Sequence, residues 1–234
     1  MLENLLRQGF EALCLPLDAL ALERYRCFFE YLEEMNKVMN LTAISGQEDV
    51  ARLHFLDCAA LLKLADFSGK SLIDVGTGAG FPGLALKIAC PDLKLTLLDS
   101  LDKRVKFLRE LCRKLGFEET ACIHARAEEA PAALRQGFDF AASRAVARLN
   151  LLSELCLPFV RPGGVFIAMK GPGAAEELAE ARRGIGLLGG GPGRIEDYRI
   201  PGTEIVHSAV LIPKSGPTPE KYPRRWAQIK KQPL

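Results

Sequence analysis

Residues 74–83 read DVGTGAGFPG, and this stretch sets the fold. From Gly78 the letters satisfy G-x-G-x-x-G, the dinucleotide fingerprint, with Gly78, Gly80 and Gly83 in register. From Asp74 they satisfy D-x-G-x-G-x-G, the first-loop pattern of enzymes that use S-adenosylmethionine (SAM), with Gly76, Gly78 and Gly80 in register. Either way a glycine-rich loop joins an apolar strand to a helix, with Pro82 placed for the first helical turn. Glycine permits positive φ and close approach of a ligand to the backbone. Such loops lie outside the carboxyl ends of a parallel sheet, where ligands bind.

Outward from the loop, strands and helices alternate. KSLIDVG is a strand, FPGLALKIAC a helix, LKLTLLDS a strand, DKRVKFLRELCRKLG an amphipathic helix closed by glycine, and ACIHA a third strand. FDFAASRAV (138–146) supplies a fourth strand, RLNLLSELCLPFV a helix, and GGVFIAMKG a fifth strand after a Pro-Gly-Gly turn. AEELAEARRGIGLL is helical, and GRIEDYRIPG with IVHSAVLIPK is read as an antiparallel pair at the sheet edge. Residues 1–65 have helical spacing, with Leu20, Tyr25, Phe28, Phe29, Leu32 and Met35 on one stripe. The expectation is an α/β, Rossmann-like fold: a mostly parallel seven-stranded sheet over residues 66–234, with an N-terminal helical extension over 1–65 packed on it.

Two acids bear on the ligand. Asp99 ends the second strand and suits a ribose diol, which NAD and SAM share. Asp74 discriminates: two like charges ~4 Å apart at an effective dielectric near 20 repel by roughly 4 kcal/mol, so a pyrophosphate is disfavoured there. The same carboxylate suits the cationic amino group of SAM. A cap on the following turn is the plainer role for Asp74. After the third strand, the backbone N–H of Ala127 or Glu128 and a nearby carboxylate suit the edge of an adenine.

The chain holds 234 residues, 48% hydrophobic and 26% charged, with net charge +2. No apolar run reaches membrane-spanning length. The seven cysteines are scattered without a C-x-x-C pair and read as reduced thiols of a cytoplasmic protein, not a zinc site. Charge is uneven: Lys214 to Leu234 carries six basic residues and one acid, so the remainder is mildly acidic. Such a tail suits a polyanionic partner or serves only solubility, and charge alone does not separate the two.

The ordered set NKVMNLTAI, HFLDCAALL, DVGTGAGFPGLALKI, LLDSLDKRVKFLRELC, SRAVARL, MKG and TPEKYPRR, running from the thirties to the C-terminus, resembles the bacterial 16S ribosomal RNA guanine-N7 methyltransferases, also called glucose-inhibited division protein B. The resemblance implies a SAM-dependent class I methyltransferase acting at N7 of one guanine, guanine 527, of 16S rRNA in the small ribosomal subunit. It implies cofactor contacts at Gly76, Phe81, Ala127, Glu128 and Arg144, with Asp99 on the ribose. Cys58 departs from the family's usual serine, and RRWAQIKKQPL lacks a glycine and a proline common after the arginine pair.

Guanine N7 bears a lone pair and no proton, so no general base is expected. Arg144 either orients the substrate or pairs with Glu128 or Asp139. Phosphate contacts are expected from Lys221, Arg224 and Arg225, and less so from Arg104, Lys106, Arg109 and Arg113, which read better as a solvated helix face. Trp226 could stack on a base or pack on the body. His54 and Asp57 share a helix face without a third ligand, so no metal is expected; they are read as orienting a helical lid. A monomer is expected, with 16S rRNA or the small subunit as partner.

Overall fold

The computed structural model describes residues 1–144 and 146–234; Ala145, within the stretch read as the fourth strand, lies outside the described residues. Among the described residues, seven strands form one sheet: β1 (Ser71–Val75), β2 (Lys94–Asp99), β3 (Ala121–His124), β4 (Phe138–Arg144), β5 (Val160–Lys170), β6 (Arg194–Arg199) and β7 (Val206–Pro213). Their order is β3-β2-β1-β4-β5-β7-β6. The first five run parallel, and β7 is antiparallel to both β5 and β6. The terminal hairpin expected at the edge is present, with β7 inside it and β6 outermost. Order reverses between β1 and β4, and the glycine loop leaves β1 at that switch point.

Between strands run α5 (Gly83–Ala89), α6 (Asp102–Lys114), α7 (Leu149–Cys156) and α8 (Ala174–Leu187). These helices cover apolar strands: Leu72, Ile73, Leu97, Ala141, Ala142, Phe166 and Ile167 are all fully buried. One expectation fails here. Pro162-Gly163-Gly164 does not separate helix from strand. It falls inside β5, where pairing moves from Phe138–Val160 to Phe140–Val165 across a bulge. A side chain at Gly164 would strike the Asp139 carbonyl at 2.4 Å, so the close approach of β4 requires glycine.

The N-terminal region supplies α1 (Leu2–Ala12) and α2 (Ala19–Met39). Asp18 caps α2 by accepting from the Ala21 amide, and left-handed Asn40 ends it. The buried stripe of α2 faces the sheet's helices: the Tyr25 hydroxyl donates to the Ala85 carbonyl at 2.7 Å, and Phe28 stacks on Phe81 of the glycine loop at 4.9 Å. Tyr25, Phe28 and Phe55 are fully buried, and truncating any of them to alanine costs ~3–5 kcal/mol. Residues 47–63 are helical but not one regular helix. A short α3 (Gln47–Val50) passes into a widened π-type turn (Ala51–Leu56), then α4 (Asp57–Ala59) and a tight turn to Lys63.

The C-terminal segment is anchored, not a loose tail. Lys214 is buried, donating to the carbonyl of Leu157 and to the Thr218 hydroxyl, and burial lowers its ammonium to a pKa of about 8. Arg135 donates to the carbonyls of Thr218, Pro219 and Tyr222. The chain ends in α9 (Trp226–Lys231). No helix among the described residues is long and apolar enough to cross a membrane.

Candidate active site

A cavity of about 880 Å3 opens over the carboxyl ends of β1, β2, β4 and β5, roofed by residues 41–57. Its floor is the glycine loop. Gly76 and Gly78 have φ of +72° and +61°. A side chain on Gly78 would meet almost nothing but open cavity, whereas one on Gly80 would strike Leu84, Phe28 and Leu108, and one on Gly83 would strike Asp74 and Leu97. Gly78 therefore presents an open face to the cavity, and Gly80 and Gly83 serve packing.

Asp74 is fully buried and does not line the cavity. Its Oδ2 accepts from the Thr77 hydroxyl at 2.7 Å and the Gly83 amide at 2.8 Å, while Oδ1 has no partner among the described residues. Burial raises its pKa to about 6, against the lowering effect of those two bonds. Asp74 takes up the plainer of the two roles read from sequence, bracing the loop from behind, and it stands outside the cavity lining that would meet a ligand's amino group. Asp99 does line the cavity. Its carboxylate accepts from the amides of Gly78 and Leu101, both at 2.9 Å, with Arg104 at 3.7 Å.

The opposite wall is a chain of side chains. Arg144, at the end of β4, donates to the Leu53 carbonyl (3.1 Å), Asp57 Oδ2 (3.2 Å) and His54 Nδ1 (2.8 Å), and lies over the Phe81 ring. Asp57 Oδ1 also accepts from Tyr198 and His207, each at 2.9 Å. His54 stacks on Phe81 at 4.3 Å, and its Nε2 lies 3.0 Å from the Thr42 hydroxyl. Burial, reinforced by Arg144, lowers the His54 pKa to about 3, so the ring is neutral. The bond to Asp57 raises the pKa of His207.

This corrects the expected partners of Arg144. Glu128 pairs with Arg126 and Asp139 with Arg161, which leaves Asp57 as the counter-ion. His54 and Asp57 share an inward face as expected, through the widened turn that carries the first of them. The sequence did not point individually to Thr42, Lys170, Tyr198 and His207. The first two lie within the motifs NLTAI and MKG. Tyr198 and His207 reach Asp57 from 141 and 150 residues away, which no local pattern announces. Ala127 and Glu128 open the turn after β3 and do not line the cavity.

The basic residues expected to meet phosphate divide. Arg224 is committed: its Nε and Nη2 hold the fully buried carboxylate of Glu154, whose Oε1 also accepts from the Arg224 amide. Lys221 and Arg225 are exposed. On α6, Lys106 pairs with Asp102 and Arg113 with Glu110, while Arg109 donates to the Cys122 carbonyl, as suits a solvated face. Trp226 is half-buried against the core, with Arg126 over its ring.

A parallel sheet with this strand order, an antiparallel seventh strand and an open-faced glycine at the switch point defines a Rossmann-like, SAM-dependent methyltransferase. Solved structures agree on the fold: a predicted O-methyltransferase of Agrobacterium tumefaciens superposes with TM-score 0.56 at 19% identity, covering 70% of this chain and 81% of that one. A geranyl diphosphate methyltransferase in complex with SAM gives TM-score 0.50 at 13% identity, over 68% and 85%. The family model for rRNA small subunit methyltransferase G matches residues 21–200, and the chain belongs to that family. Ribosomal RNA small subunit methyltransferase G of Clostridium perfringens is 41% identical over 99% of this chain and 98% of its own. That of Clostridium botulinum is 47% identical over 91% of each.

Proposed function

We propose that this methyltransferase modifies N7 of one guanine of 16S rRNA, in the cytoplasm, as a monomer working on the rRNA or on the small ribosomal subunit. The observation that carries this is a cavity built for placement and not for proton removal. Its roof histidine, His54, is neutral and fully engaged with Arg144 and Thr42, as suits attack by a lone pair that carries no proton. When bound, SAM supplies a methyl group on a cationic sulfur.

The chain's residues hold the reactants. Gly76 and Gly78 give close backbone approach, with Asp74 bracing the loop behind them and Gly80 packing its far side. Asp99 takes the ribose hydroxyls; the amides of Ala127 and Glu128 donate no backbone hydrogen bond among the described residues and, although outside the cavity lining, are the donors read for the adenine edge. Arg144 from the far wall and Phe81 from the floor meet on the substrate side. Their charge is neutral overall, because Asp57 balances Arg144, so developing positive charge on the base meets no net opposition. Orientation of this kind contributes up to ~7–11 kcal/mol to lowering a barrier. Lys221 and Arg225 contact RNA phosphates.

The test is transfer of a labelled methyl group from SAM to 16S rRNA, and to small subunits, that lack the mark. Nucleoside analysis is expected to place the label in 7-methylguanosine. Label in any other nucleoside overturns the reading.

A further inference from the structure

Thr42 sits at the inner end of the roof, and its hydroxyl has its roles fixed by its neighbours. A guanidinium has donors only, so the 2.8 Å contact from Arg144 Nη2 makes His54 Nδ1 an acceptor. The one N–H of the neutral ring is then on Nε2, and it donates to Thr42 Oγ1 at 3.0 Å. The Ile44 amide donates to the same oxygen at 3.0 Å. Both lone pairs of the hydroxyl are thus taken, and its proton has no acceptor among the described residues. Thr42 lines the cavity. Nor can it swing away easily: Asn36 clamps its backbone, donating to its carbonyl and accepting from its amide, both at 2.9 Å.

We infer that Thr42 is a specificity-determining residue whose hydroxyl donates a hydrogen bond to O6 of the target guanine, an inference that rests on the guanine-N7 reading above. O6 and N7 lie side by side on one edge of guanine, and adenine carries an amino donor where guanine has O6. A hydroxyl whose lone pairs are filled can only donate, so it accepts guanine and faces adenine donor to donor. A site with such a fixed polar group discriminates strongly, because the wrong base leaves it unpaired. A neutral donor also suits the reaction. The base becomes cationic as N7 is methylated, and neither the hydroxyl nor the neutral imidazole adds positive charge. The chain Arg144–His54–Thr42 therefore sets the direction of one proton across the roof.

The experiment uses the full-length protein with SAM and an unmodified small-subunit substrate carrying guanine, inosine (O6 kept) or 2,6-diaminopurine (an amino group at position 6, N7 kept) at the target. Wild type is expected to methylate guanine and inosine and to discriminate against 2,6-diaminopurine. Thr42→Val is expected to lose about 10- to 100-fold in kcat/KM on guanine, the range for a lost hydrogen bond in a closed site. Its preference for guanine over 2,6-diaminopurine is expected to narrow by a similar factor, with SAM affinity by calorimetry unchanged. Thr42→Ser is expected to restore both rate and preference. The inference is overturned if Thr42→Val keeps the wild-type preference, if Thr42→Ser is as impaired as Thr42→Val, or if wild type accepts 2,6-diaminopurine as readily as guanine. Product at guanine with an undiminished Thr42→Val overturns this inference alone. Absence of 7-methylguanosine with wild type overturns the guanine reading and this inference with it.

Discussion

The two walls of the cavity are built on opposite plans. The floor, from Gly76 to Phe81 with Asp99 and braced from behind by Asp74, is one loop and one strand end, made mainly of backbone and short residues. The roof and far wall join Thr42, His54, Asp57, Arg144, Tyr198 and His207, contributed by the N-terminal region, β4, β6 and β7. A wall made of backbone tolerates changes elsewhere but not a side chain of its own. A wall made of linked side chains fails when any link is cut, because each buried group depends on the next for its hydrogen bonds.

Substitutions separate the two. The largest effect is expected from Gly78→Asp, which fills the open face of the floor: SAM binding by calorimetry should fall below detection while the roof network stays intact. Retained binding would mean that Gly78 does not face the cofactor. Next comes a pair of arginines, each opposite a buried carboxylate. Arg224→Ala strands the Glu154 carboxylate, which has no other side-chain partner among the described residues, and is expected to cost ~3–5 kcal/mol in urea unfolding. Arg144→Ala should cost less, because Asp57 keeps Tyr198 and His207, but it should abolish methyl transfer. An Arg224→Ala protein with unchanged stability and weakened RNA binding would return that residue to the phosphate-binding set.

Asp74 gives a pH signature confined to the floor. Its folded pKa of about 6 lies above the ordinary 3.8, so the folded protein holds that proton after the unfolded chain has released it. The stability it confers is full below about pH 4 and is lost as pH rises through about 6, by ~3 kcal/mol. Asp74→Asn, whose amide oxygen can still accept from Thr77 and Gly83, should flatten that slope in unfolding measured at stepped pH. A slope unchanged by the substitution would assign it to another group. The smallest effect is expected from Lys221→Ala with Arg225→Ala. RNA binding should weaken, its salt dependence becoming shallower by about 1 for each phosphate no longer neutralised, with SAM affinity unchanged. An equal loss of both affinities would refute that division.

Legibility followed the same divide. Strands such as LKLTLLD and helices such as DKRVKFLRELCRK were readable because their pattern repeats within a few residues. The partner of Arg144 was not: nearby Glu128 and Asp139 were the natural candidates, yet each is held by its own arginine. Arg224 looked like a free basic residue because nothing in YPRRW shows that Glu154, 70 residues earlier, is buried beneath it. Pro162-Gly163-Gly164 looked like a turn because its letters favour one, and the neighbouring strand made it a bulge instead.

The sequence by itself determined the alternation of strands and helices, the glycine loop at the head of the sheet, and the family to which the ordered motifs point. It also marked Asp74 as important; the bonds the fold gives it, from Thr77 and Gly83, brace the loop from behind. The tertiary structure alone decided which buried charges neutralise one another, which basic residues of the C-terminal segment stay exposed, and which groups surround the Thr42 hydroxyl. The reason is physical. Backbone propensity and hydrophobic period are written in neighbouring residues, whereas a buried hydrogen bond is fixed by whatever the fold brings within about 3 Å.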